Sequence, residues 1–348
     1  MNKMERVLVK GNEAIAEAAI MAGCRFYAGY PITPQNQIPE YMSWRMPEVK
    51  GVFIQAESEL AAINMVLGAS LTGVRAMTSS SSPGISLKME GISYLAGLEL
   101  PAVIVNMQRG GPGLGNIQGS QGDYFQAVKG GGHGDYKLIV LSPSTVQEAI
   151  ELTMESFDLA DIYRIPVMIL SDGILGQMME PAIFKRIPQR EIPPKDWILD
   201  GCKGREPRSL YSLMMAVGAL ERHNWHLLEK YKIIEKKEKK YELYEVEDAE
   251  ILIVAYGIVG RISKGAVKLG RADGKKIGLI RPITLWPFPY EIIDELSKKA
   301  KKILVVEQSL GQMVEDVKLS VSDKTKVSFY GRPGGGVPSP EEIYEQIK

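Results

Sequence analysis

Two carboxylates stand at the start of a strongly apolar segment. The stretch VFIQAESELAAINMVLGAS, residues 52–70, opens as a β-type apolar run, and almost every residue after Glu59 is apolar. Ser58 is suited to cap a helix, which places Glu59 in the first turn, where the helix dipole favours a negative charge by roughly 0.3–1 kcal/mol. Alternatively, a carboxylate between a strand and a buried helix binds a ligand or holds a proton. The segment alone leaves both interpretations open.

Polar and glycine-rich residues follow three other apolar runs of the chain. Thr33 and Pro34 follow one run, a series of serines at 79–82 follows another, and Arg109 precedes the glycine-rich stretch GGPGLGN. In a parallel sheet, ligands bind at the edge where the carboxyl ends of the strands meet. Hydroxyl groups, one carboxylate pair and one arginine at such ends therefore indicate a single polar cleft for a small molecule.

The elements that position these residues alternate regularly up to about residue 185. Helix-length segments separate short apolar runs, which predicts a doubly wound α/β fold with a parallel sheet covered on both faces. We predict strands at 24–30, 52–55, 75–80, 102–107, 137–142 and 166–171, and helices at 12–22, 35–44, 58–71, 84–97 and 144–160.

The rest of the chain divides into a connector and a second α/β unit. Residues 186–245 begin with a Pro-rich stretch and continue as a helix-like segment, 209–240, ending in a charged tract. We interpret 186–245 as a linker with a long, largely solvated helix; a basic interaction patch is the alternative. From 246 to 348 we predict a smaller domain, with strands at 250–257, 276–282, 302–308 and 326–331 and helices at 259–270, 289–300 and 309–321.

Composition argues against several classes of protein. Among 348 residues, Lys plus Arg and Asp plus Glu both number 42, so we do not expect nucleic acid as the main partner. No apolar run reaches the ~20 residues of a membrane span, and the N-terminal stretch lacks the apolar core of a signal peptide, so we expect a cytoplasmic protein. Cys24 and Cys202 alone cannot build a four-thiolate iron–sulfur cluster, and we expect no metal site on this chain.

The glycine-rich stretch at 110–116 does not fit a dinucleotide-binding loop. Its glycines are spaced wrongly for GxGxxG, and the residues that follow it, IQGSQGDY, are typical of a loop. Further glycines follow in KGGGHGDY, so we predict that residues 110–136 form a long irregular loop over the cleft. Loops of this length are usually lids or interface elements.

Four sequence blocks together resemble one protein family. They are GNEAIAEAAIMAGCRFYAGYPITPQN, QAESELAAINMVLGAS, SSSSPGISLKMEGISYLAG and NMQRGGPG. They resemble the alpha subunit of 2-oxoacid:ferredoxin oxidoreductases, and most closely the branched-chain 2-ketoisovalerate (3-methyl-2-oxobutanoate) type. RPITLWPFP and ILVVEQSLGQMVEDVK resemble the transketolase C-terminal-like domain that follows in that subunit. The resemblance covers nearly the whole chain and implies that residues 1–185 form a thiamine diphosphate pyrimidine-binding domain.

The resemblance implies thiamine diphosphate chemistry in the cleft. In such enzymes a buried glutamate hydrogen-bonds the pyrimidine nitrogen N1′ and favours the imino tautomer that removes the thiazolium C2 proton. Glu59 occupies this position in the motif, with Glu57 as its structural neighbour. By the same resemblance, Thr33 and Pro34 bind the cofactor, Thr33 also contacts substrate, and Arg109 clamps the carboxylate of the 2-oxoacid, for which its planar fork is suited.

The resemblance also implies that partner chains complete the site. The GDG…N element that holds Mg2+ and diphosphate does not occur in this sequence, so a beta subunit would supply it. A ferredoxin-like delta subunit would carry the iron–sulfur clusters, and a gamma subunit would complete the assembly. The implied reaction is oxidative decarboxylation of a 2-oxoacid to acyl-coenzyme A and CO2, with electrons passed to ferredoxin in anaerobic metabolism.

Three alternatives remain open at the level of sequence. The substrate could be 2-oxoglutarate, which needs a further cationic group for its second carboxylate, or pyruvate, which needs a smaller pocket. The chain could instead be a non-catalytic scaffold subunit of such a complex, although Glu59, Thr33 and Arg109 are all chemically competent residues. A stand-alone thiamine enzyme is disfavoured because the diphosphate-binding element is not in the sequence.

Overall fold

The computed structural model describes residues 6–348 and contains fourteen strands in three sheets within that range. Seven strands form the first and largest sheet, five form a second sheet, and two pair as a short ribbon. In chain order the strands are β1 (Val7–Lys10), β2 (Phe26–Gly29), β3 (Val52–Gln55), β4 (Ala76–Ser80), β5 (Ala102–Gln108), β6 (Ile139–Leu141), β7 (Pro166–Asp172), β8 (Met179–Ala182), β9 (Tyr241–Tyr244), β10 (Ile251–Val254), β11 (Ile277–Pro282), β12 (Thr284–Trp286), β13 (Lys302–Glu307) and β14 (Val327–Gly331).

Helices fill the connections between these strands. Every strand and helix predicted outside the connector has an element at its position, and the predicted α/β fold class is confirmed. The helices are α1 (Gly11–Met21), α2 (Gln37–Glu48), α3 (Glu59–Leu71), α4 (Ser82–Gly97), α5 (Tyr124–Val128), α6 (Val146–Tyr163), α7 (Gly173–Gln177), α8 (Ala219–Lys237), α9 (Gly257–Ala272), α10 (Tyr290–Ser297), α11 (Met313–Ser320) and α12 (Pro340–Glu345).

The seven-stranded sheet brings the polar strand ends together. Its order is β12-β6-β7-β5-β4-β2-β3, and all pairs are parallel except β12 with β6. The four strands followed by the polar residues, β5, β4, β2 and β3, are therefore consecutive neighbours. Strands β4, β5 and β7 are buried along their whole length, which explains their apolar composition, because helices cover both faces of a parallel sheet.

The second sheet is tied to the first. Its order is β14-β13-β10-β11-β9, parallel except for the edge strand β9. Directly after β11 the chain crosses over, and β12 pairs antiparallel with β6 of the first sheet. The buried Arg281 guanidinium contacts Glu148 of α6 and Glu242 of β9, each at 2.7 Å. The two α/β units therefore share both a sheet edge and a charged contact.

The predicted helix of the connector is wrong in its first ten residues. Residues 209–218 are irregular, and α8 begins after Gly218, whose φ of 71° interrupts helical geometry. The helix is also less solvated than expected, because Leu227, Tyr231 and Ile234 are buried in the main core. Its remaining faces are mostly exposed. Within residues 6–348, no helix is both long enough and apolar enough to cross a bilayer.

Candidate functional site

Glu59 is the first residue of α3 and is 6% exposed. Ser58 caps the helix as predicted, with its hydroxyl accepting a hydrogen bond from the Ala61 amide at 3.1 Å. Glu57, two residues earlier, is exposed. The two carboxylates therefore differ in kind, since Glu59 is buried at the positive end of a helix and Glu57 lies in solvent.

The Glu59 carboxylate faces the beginning of α4 at close range. A Cβ atom placed on Gly84 would lie 2.6 Å from Glu59 Oε1 and 2.1 Å from Ser80 Oγ, so only glycine fits there without a shift of these groups. In the part of the chain that the structure describes, no hydrogen bond reaches the Glu59 carboxylate, and the buried hydroxyls of Ser80 and Ser81 also have no partner. Among residues 6–348 the buried hydroxyls of Ser80 and Ser81 lack the partner that such groups normally have, which indicates a ligand next to the Glu59 carboxylate.

Thr33 and Pro34 lie at the end of β2, the strand beside β3. Thr33 is half-buried, and its hydroxyl accepts a hydrogen bond from Asn36 Nδ2 at 3.3 Å. Pro34 is buried, and its carbonyl accepts hydrogen bonds from Asn12 at 2.8 Å and Gln177 at 2.6 Å. These bonds fix the main chain of the turn after β2.

Arg109 follows β5 and binds this turn directly. Its Nη1 donates to the Thr33 carbonyl at 2.9 Å, and its Nη2 donates to the Leu114 carbonyl at 3.0 Å. Its Nε is buried and has no hydrogen-bond partner. Arg109 thus braces the Thr33 turn and the glycine-rich loop while retaining unused N–H groups. The structure brings Thr33 and Arg109 into contact, whereas Glu59 lies at a neighbouring strand end and contacts neither by a hydrogen bond.

The glycine-rich loop is held at both ends rather than free. Gly110 N donates to the Gln118 carbonyl at 2.9 Å, and Asn116 Nδ2 donates to the Gly334 carbonyl of the second α/β unit at 2.8 Å. Gly115 has a φ of 60°, and a Cβ there would lie 1.7 Å from the Gly110 oxygen. The tip of the glycine-rich loop is open to solvent, since Leu114 is 80% exposed. As predicted, residues 110–136 are irregular, apart from α5.

A carboxylate that the sequence interpretation missed lies next to Arg109. Asp123 accepts hydrogen bonds from Ser82 Oγ at 2.5 Å and from Asn106 Nδ2 at 2.9 Å, and Ser82 Oγ accepts one from the Arg109 amide at 3.0 Å. Burial raises the pKa of Asp123, and its two hydrogen bonds oppose the rise. Because Asp123 lies in the loop after α4 and β5, sequence periodicity gave no signal for it.

The second missed residue is Lys88, in the middle of α4. Its side chain is 0% exposed, and its Nζ donates to Thr78 Oγ1 at 2.9 Å and to the main-chain oxygen of Glu59 at 3.4 Å. Burial lowers the pKa of Lys88 to about 7, and the charge of Glu59 opposes this. A lysine four residues after Gly84 shares its helix face, which is the sequence signal that would have identified it.

Thr33 and Arg109, which were predicted to share one cleft with Glu59, line two separate cavities, and Glu59 lines neither of them. One, of about 410 Å³, is lined by Arg109, Ser82 and Asp123 together with residues of the glycine-rich loop and of the loops at 309–312 and 333–334. The other, of about 690 Å³, is lined by Thr33 and Pro34 with α7 residues. The bond from Arg109 to the Thr33 carbonyl links a lining residue of each cavity.

Family comparisons assign both parts of the chain. Residues 17–245 match the family described as pyruvate flavodoxin/ferredoxin oxidoreductase, thiamine diphosphate-binding, and residues 249–343 match core domain II of pyruvate:ferredoxin oxidoreductase. The chain is 51% identical to the ketoisovalerate oxidoreductase subunit VorB of Methanothermobacter marburgensis, covering 99% of this chain and 98% of that protein. It is 38% identical to the 2-oxoglutarate synthase subunit KorA of Methanothermobacter thermautotrophicus, with the same coverage.

Solved structures resemble the fold over its full length. A 2-oxoglutarate:ferredoxin oxidoreductase from Magnetococcus marinus, with 2-oxoglutarate, coenzyme A and succinyl-CoA bound, superposes with a TM-score of 0.90 at 28% identity, covering 100% of this chain and 65% of that chain. A split-gene transketolase in an inactive tetrameric form shares the fold alone, with a TM-score of 0.59 at 14% identity and 97% coverage of both chains. The resemblance read from the sequence is confirmed. The chain therefore belongs to the thiamine diphosphate-binding family of 2-oxoacid:ferredoxin oxidoreductases.

Proposed function

We propose that this chain is the subunit of a branched-chain 2-oxoacid:ferredoxin oxidoreductase that holds the aminopyrimidine ring of thiamine diphosphate. The complex would convert 3-methyl-2-oxobutanoate and coenzyme A to the acyl-coenzyme A and CO2, with electrons passing to ferredoxin. The observation that carries this proposal is the Glu59 carboxylate, which is buried at a strand end without a hydrogen-bond donor from residues 6–348.

The residues around Glu59 offer hydrogen-bonding groups suited to a nitrogen-containing ring. Glu59 offers the acceptor for a ring N–H, and the unpartnered Ser80 and Ser81 hydroxyls lie at the neighbouring strand end. Gly84 provides the close approach, because a Cβ there would occupy space next to the carboxylate. When bound, thiamine diphosphate supplies the nucleophilic carbon that attacks the keto group and the electron sink that lets CO2 leave. Glu59 would orient the ring and share the proton on its nitrogen, in a buried setting that strengthens this bond.

Arg109 would bind the substrate carboxylate through the N–H groups that its carbonyl contacts leave free. Its bonds to the Thr33 and Leu114 carbonyls keep the guanidinium plane fixed, and a fixed plane favours two-point binding of a carboxylate. Thr33 and Pro34 would contact the cofactor and substrate from the turn that Arg109 braces. Supporting this role, Arg109 lines the cavity of about 410 Å³.

The lining of that cavity favours a branched-chain acid over 2-oxoglutarate. Arg109 is the only cationic residue from the described chain that lines it, whereas 2-oxoglutarate carries a second carboxylate that requires a second cation. Pro83, Pro112 and Leu310 add apolar surface suited to an aliphatic side chain. The higher identity to the ketoisovalerate subunit than to the 2-oxoglutarate subunit, 51% against 38%, supports the same choice.

We propose that partner chains supply the remaining groups of the site. No group of three or more His, Cys, Asp or Glu side chains within residues 6–348 is arranged to hold a metal ion, and the chain has only two cysteines. A beta subunit would bind Mg2+ and the diphosphate, a ferredoxin-like delta subunit would hold the iron–sulfur clusters, and a gamma subunit would complete the complex. The solvent-exposed tip of the glycine-rich loop at Leu114 is suited to contact such a partner.

The domain division proposed from the sequence remains 1–185, 186–245 and 246–348. The family matches, which meet between residues 245 and 249, support the second boundary. Strand β12 is the exception to a simple division, since residues of the last domain complete the first sheet.

A matched pair of variants tests the role of Glu59. A tag on this chain would recover the complex under anaerobic conditions from its native host, and its bound thiamine diphosphate and 2-oxoacid-dependent viologen reduction would be measured. We expect Glu59→Gln to reduce the rate about 100-fold or more, because an amide cannot share the ring proton as a carboxylate does. Glu57→Gln, at the exposed neighbour, should leave the rate unchanged. Full activity of the Glu59→Gln complex would contradict the proposal and favour a scaffold role.

A further inference from the structure

Lys88 is a buried lysine for which the proposed mechanism so far has no use. It lies on the face of α4 that packs against α3 and β4, and none of its side chain is exposed to solvent. Its Nζ lies between Thr78 Oγ1, at 2.9 Å, and the main-chain oxygen of Glu59, at 3.4 Å. Lysine is almost never fully buried unless it has a partner for its charge. The position of Lys88 therefore requires an explanation beyond packing.

The group that interacts with Lys88 by charge is Glu59. Lys88 faces Glu59 of α3 and the uncharged Thr78 of β4. The acidic residue of its own helix, Glu90, is exposed and accepts a hydrogen bond from the Tyr94 hydroxyl at 2.8 Å. Lys88 and the Glu59 carboxylate do not form a direct ion pair in the described part of the chain. The ammonium instead contacts the backbone of the residue whose carboxylate faces the cofactor site.

We propose that Lys88 is a positioning residue for Glu59: its buried ammonium anchors the first turn of α3 through the Glu59 carbonyl and keeps the Glu59 side chain in its carboxylate form against the cofactor's pyrimidine ring. This inference rests on the proposed function and deepens it. The geometric basis is the pair of bonds that fixes Nζ between β4 and α3. Thr78 sets the position, and Glu59 is the residue that is positioned.

The charge on Lys88 decides where the shared proton resides. A cation nearby favours the arrangement in which the proton of the hydrogen bond between Glu59 and the ring nitrogen lies on the nitrogen, and this preference weakens when the cation becomes neutral. Because burial lowers the pKa of Lys88 to about 7, its charge is present below that pH and is lost above it. The ring held by Glu59 should therefore change its protonation state as the pH rises through that range.

The test compares the wild-type complex with Lys88→Met and with a matched control. Methionine has nearly the same volume as lysine and carries no charge, so it suits the buried position. The control is Lys230→Met, which removes another lysine with a pKa lowered by burial, but one that pairs with Glu99 at 2.9 Å and not with the candidate site. The readouts are the near-ultraviolet circular dichroism of bound thiamine diphosphate, which reports the protonation and tautomeric state of its aminopyrimidine ring, and the pH profile of viologen reduction.

In the wild-type complex we expect the dichroism signal and the turnover rate to change together, with a midpoint near the pKa of Lys88. Lys88→Met should remove this transition. At pH values below the wild-type midpoint it should also lower the turnover rate about tenfold or more. Lys230→Met should keep the transition. If Lys88→Met does not fold, the pH titration of the wild-type complex still decides: a dichroism signal that does not change over about two pH units on either side of 7 would overturn the proposal.

The outcomes separate this inference from the proposed function. An inactive Glu59→Gln complex combined with a Lys88→Met complex that keeps the wild-type pH profile and dichroism would overturn only the role of Lys88. A fully active Glu59→Gln complex would overturn the proposed function itself, and the role of Lys88 with it.

Discussion

The close approach of Gly84 to Glu59 predicts that adding one methyl group, in Gly84→Ala, lowers activity. In Gly84→Ala the new Cβ would lie 2.6 Å from Glu59 Oε1 and 2.1 Å from Ser80 Oγ, whereas Cβ contacts shorter than 3.0 Å essentially do not occur. The carboxylate must therefore move by about 0.4 Å or more, and the serine hydroxyl by about 0.9 Å. Displacement of a reacting group by about 1 Å can reduce a rate on the order of 100-fold. We expect a rate reduced about 10-fold to 100-fold.

The same substitution should change stability only modestly. Alanine in place of glycine within a helix contributes about 1 kcal/mol, and overpacking a tight site costs about 1–3 kcal/mol, so the net change is a loss of about 0–2 kcal/mol. The matched control is Gly97→Ala at the other end of α4, where a Cβ meets nothing within 4 Å. It should be neutral or slightly stabilising and fully active. Viologen reduction, bound thiamine diphosphate and thermal unfolding would be measured on both complexes. Wild-type activity in Gly84→Ala would refute the placement of the Glu59 carboxylate against the cofactor ring.

Three further predictions concern the arginine, the glycine-rich loop and a buried aspartate. Arg109→Lys should lower kcat/KM for the 2-oxoacid about 10-fold to 100-fold in steady-state assays, because an ammonium has too few N–H donors to bind two carbonyls and both oxygens of a carboxylate at once. An unchanged value would contradict the clamp. Gly115→Ala should make the glycine-rich loop more sensitive to limited proteolysis, because the new Cβ would lie 1.7 Å from the Gly110 oxygen and the loop must shift. Gly113→Ala, at a residue that also has a positive φ but open space around its Cβ position, should increase cleavage less. Equal cleavage of the two variants would contradict this reasoning. Burial raises the pKa of Asp172 from 3.8 to about 6, so its ionisation should reduce the free energy of unfolding by about 3 kcal/mol in total, of which about 2 kcal/mol is lost between pH 3.8 and pH 6. Asp172→Asn should flatten this part of the stability curve, and an unchanged slope in chemical denaturation would contradict the prediction.

The first sheet could be predicted because the apolar runs and the helix caps in its sequence indicate the same strands and helices. Short apolar runs such as β5 are buried on both faces, and caps such as Ser58 mark where the helices begin. Strand pairing with a distant partner was not predictable in the same way. The three residues of β12 follow β11 closely and lack a period of their own, yet they pair with β6 because the chain crosses back to the first sheet. The helix predicted from residue 209 failed because Gly218 adopts a left-handed conformation that periodicity does not reveal.

The candidate site was predicted as a set of strand ends, and its internal contacts were not. The sequence distinguished Glu59 from Glu57 by position in the first helical turn, and the structure shows the first buried and the second exposed. The bond from Arg109 to the Thr33 carbonyl joins residues far apart in sequence, so no local pattern indicates it. Lys88 was missed because a charged residue in a largely apolar helix is usually assigned to the solvent side, whereas the packing of α4 on α3 buries it.

Substrate choice by the wild-type complex is the most direct test of the central claim. The complex, recovered anaerobically with its partner chains and intact clusters, would be assayed for viologen reduction with coenzyme A and, in turn, 3-methyl-2-oxobutanoate, 2-oxoglutarate, pyruvate and an aryl pyruvate. A cavity with one arginine and an apolar lining predicts the highest kcat/KM for 3-methyl-2-oxobutanoate. Preference for 2-oxoglutarate would contradict the proposed substrate class, and no reduction with any of the four acids would contradict the assignment of this cleft as the site of 2-oxoacid oxidation.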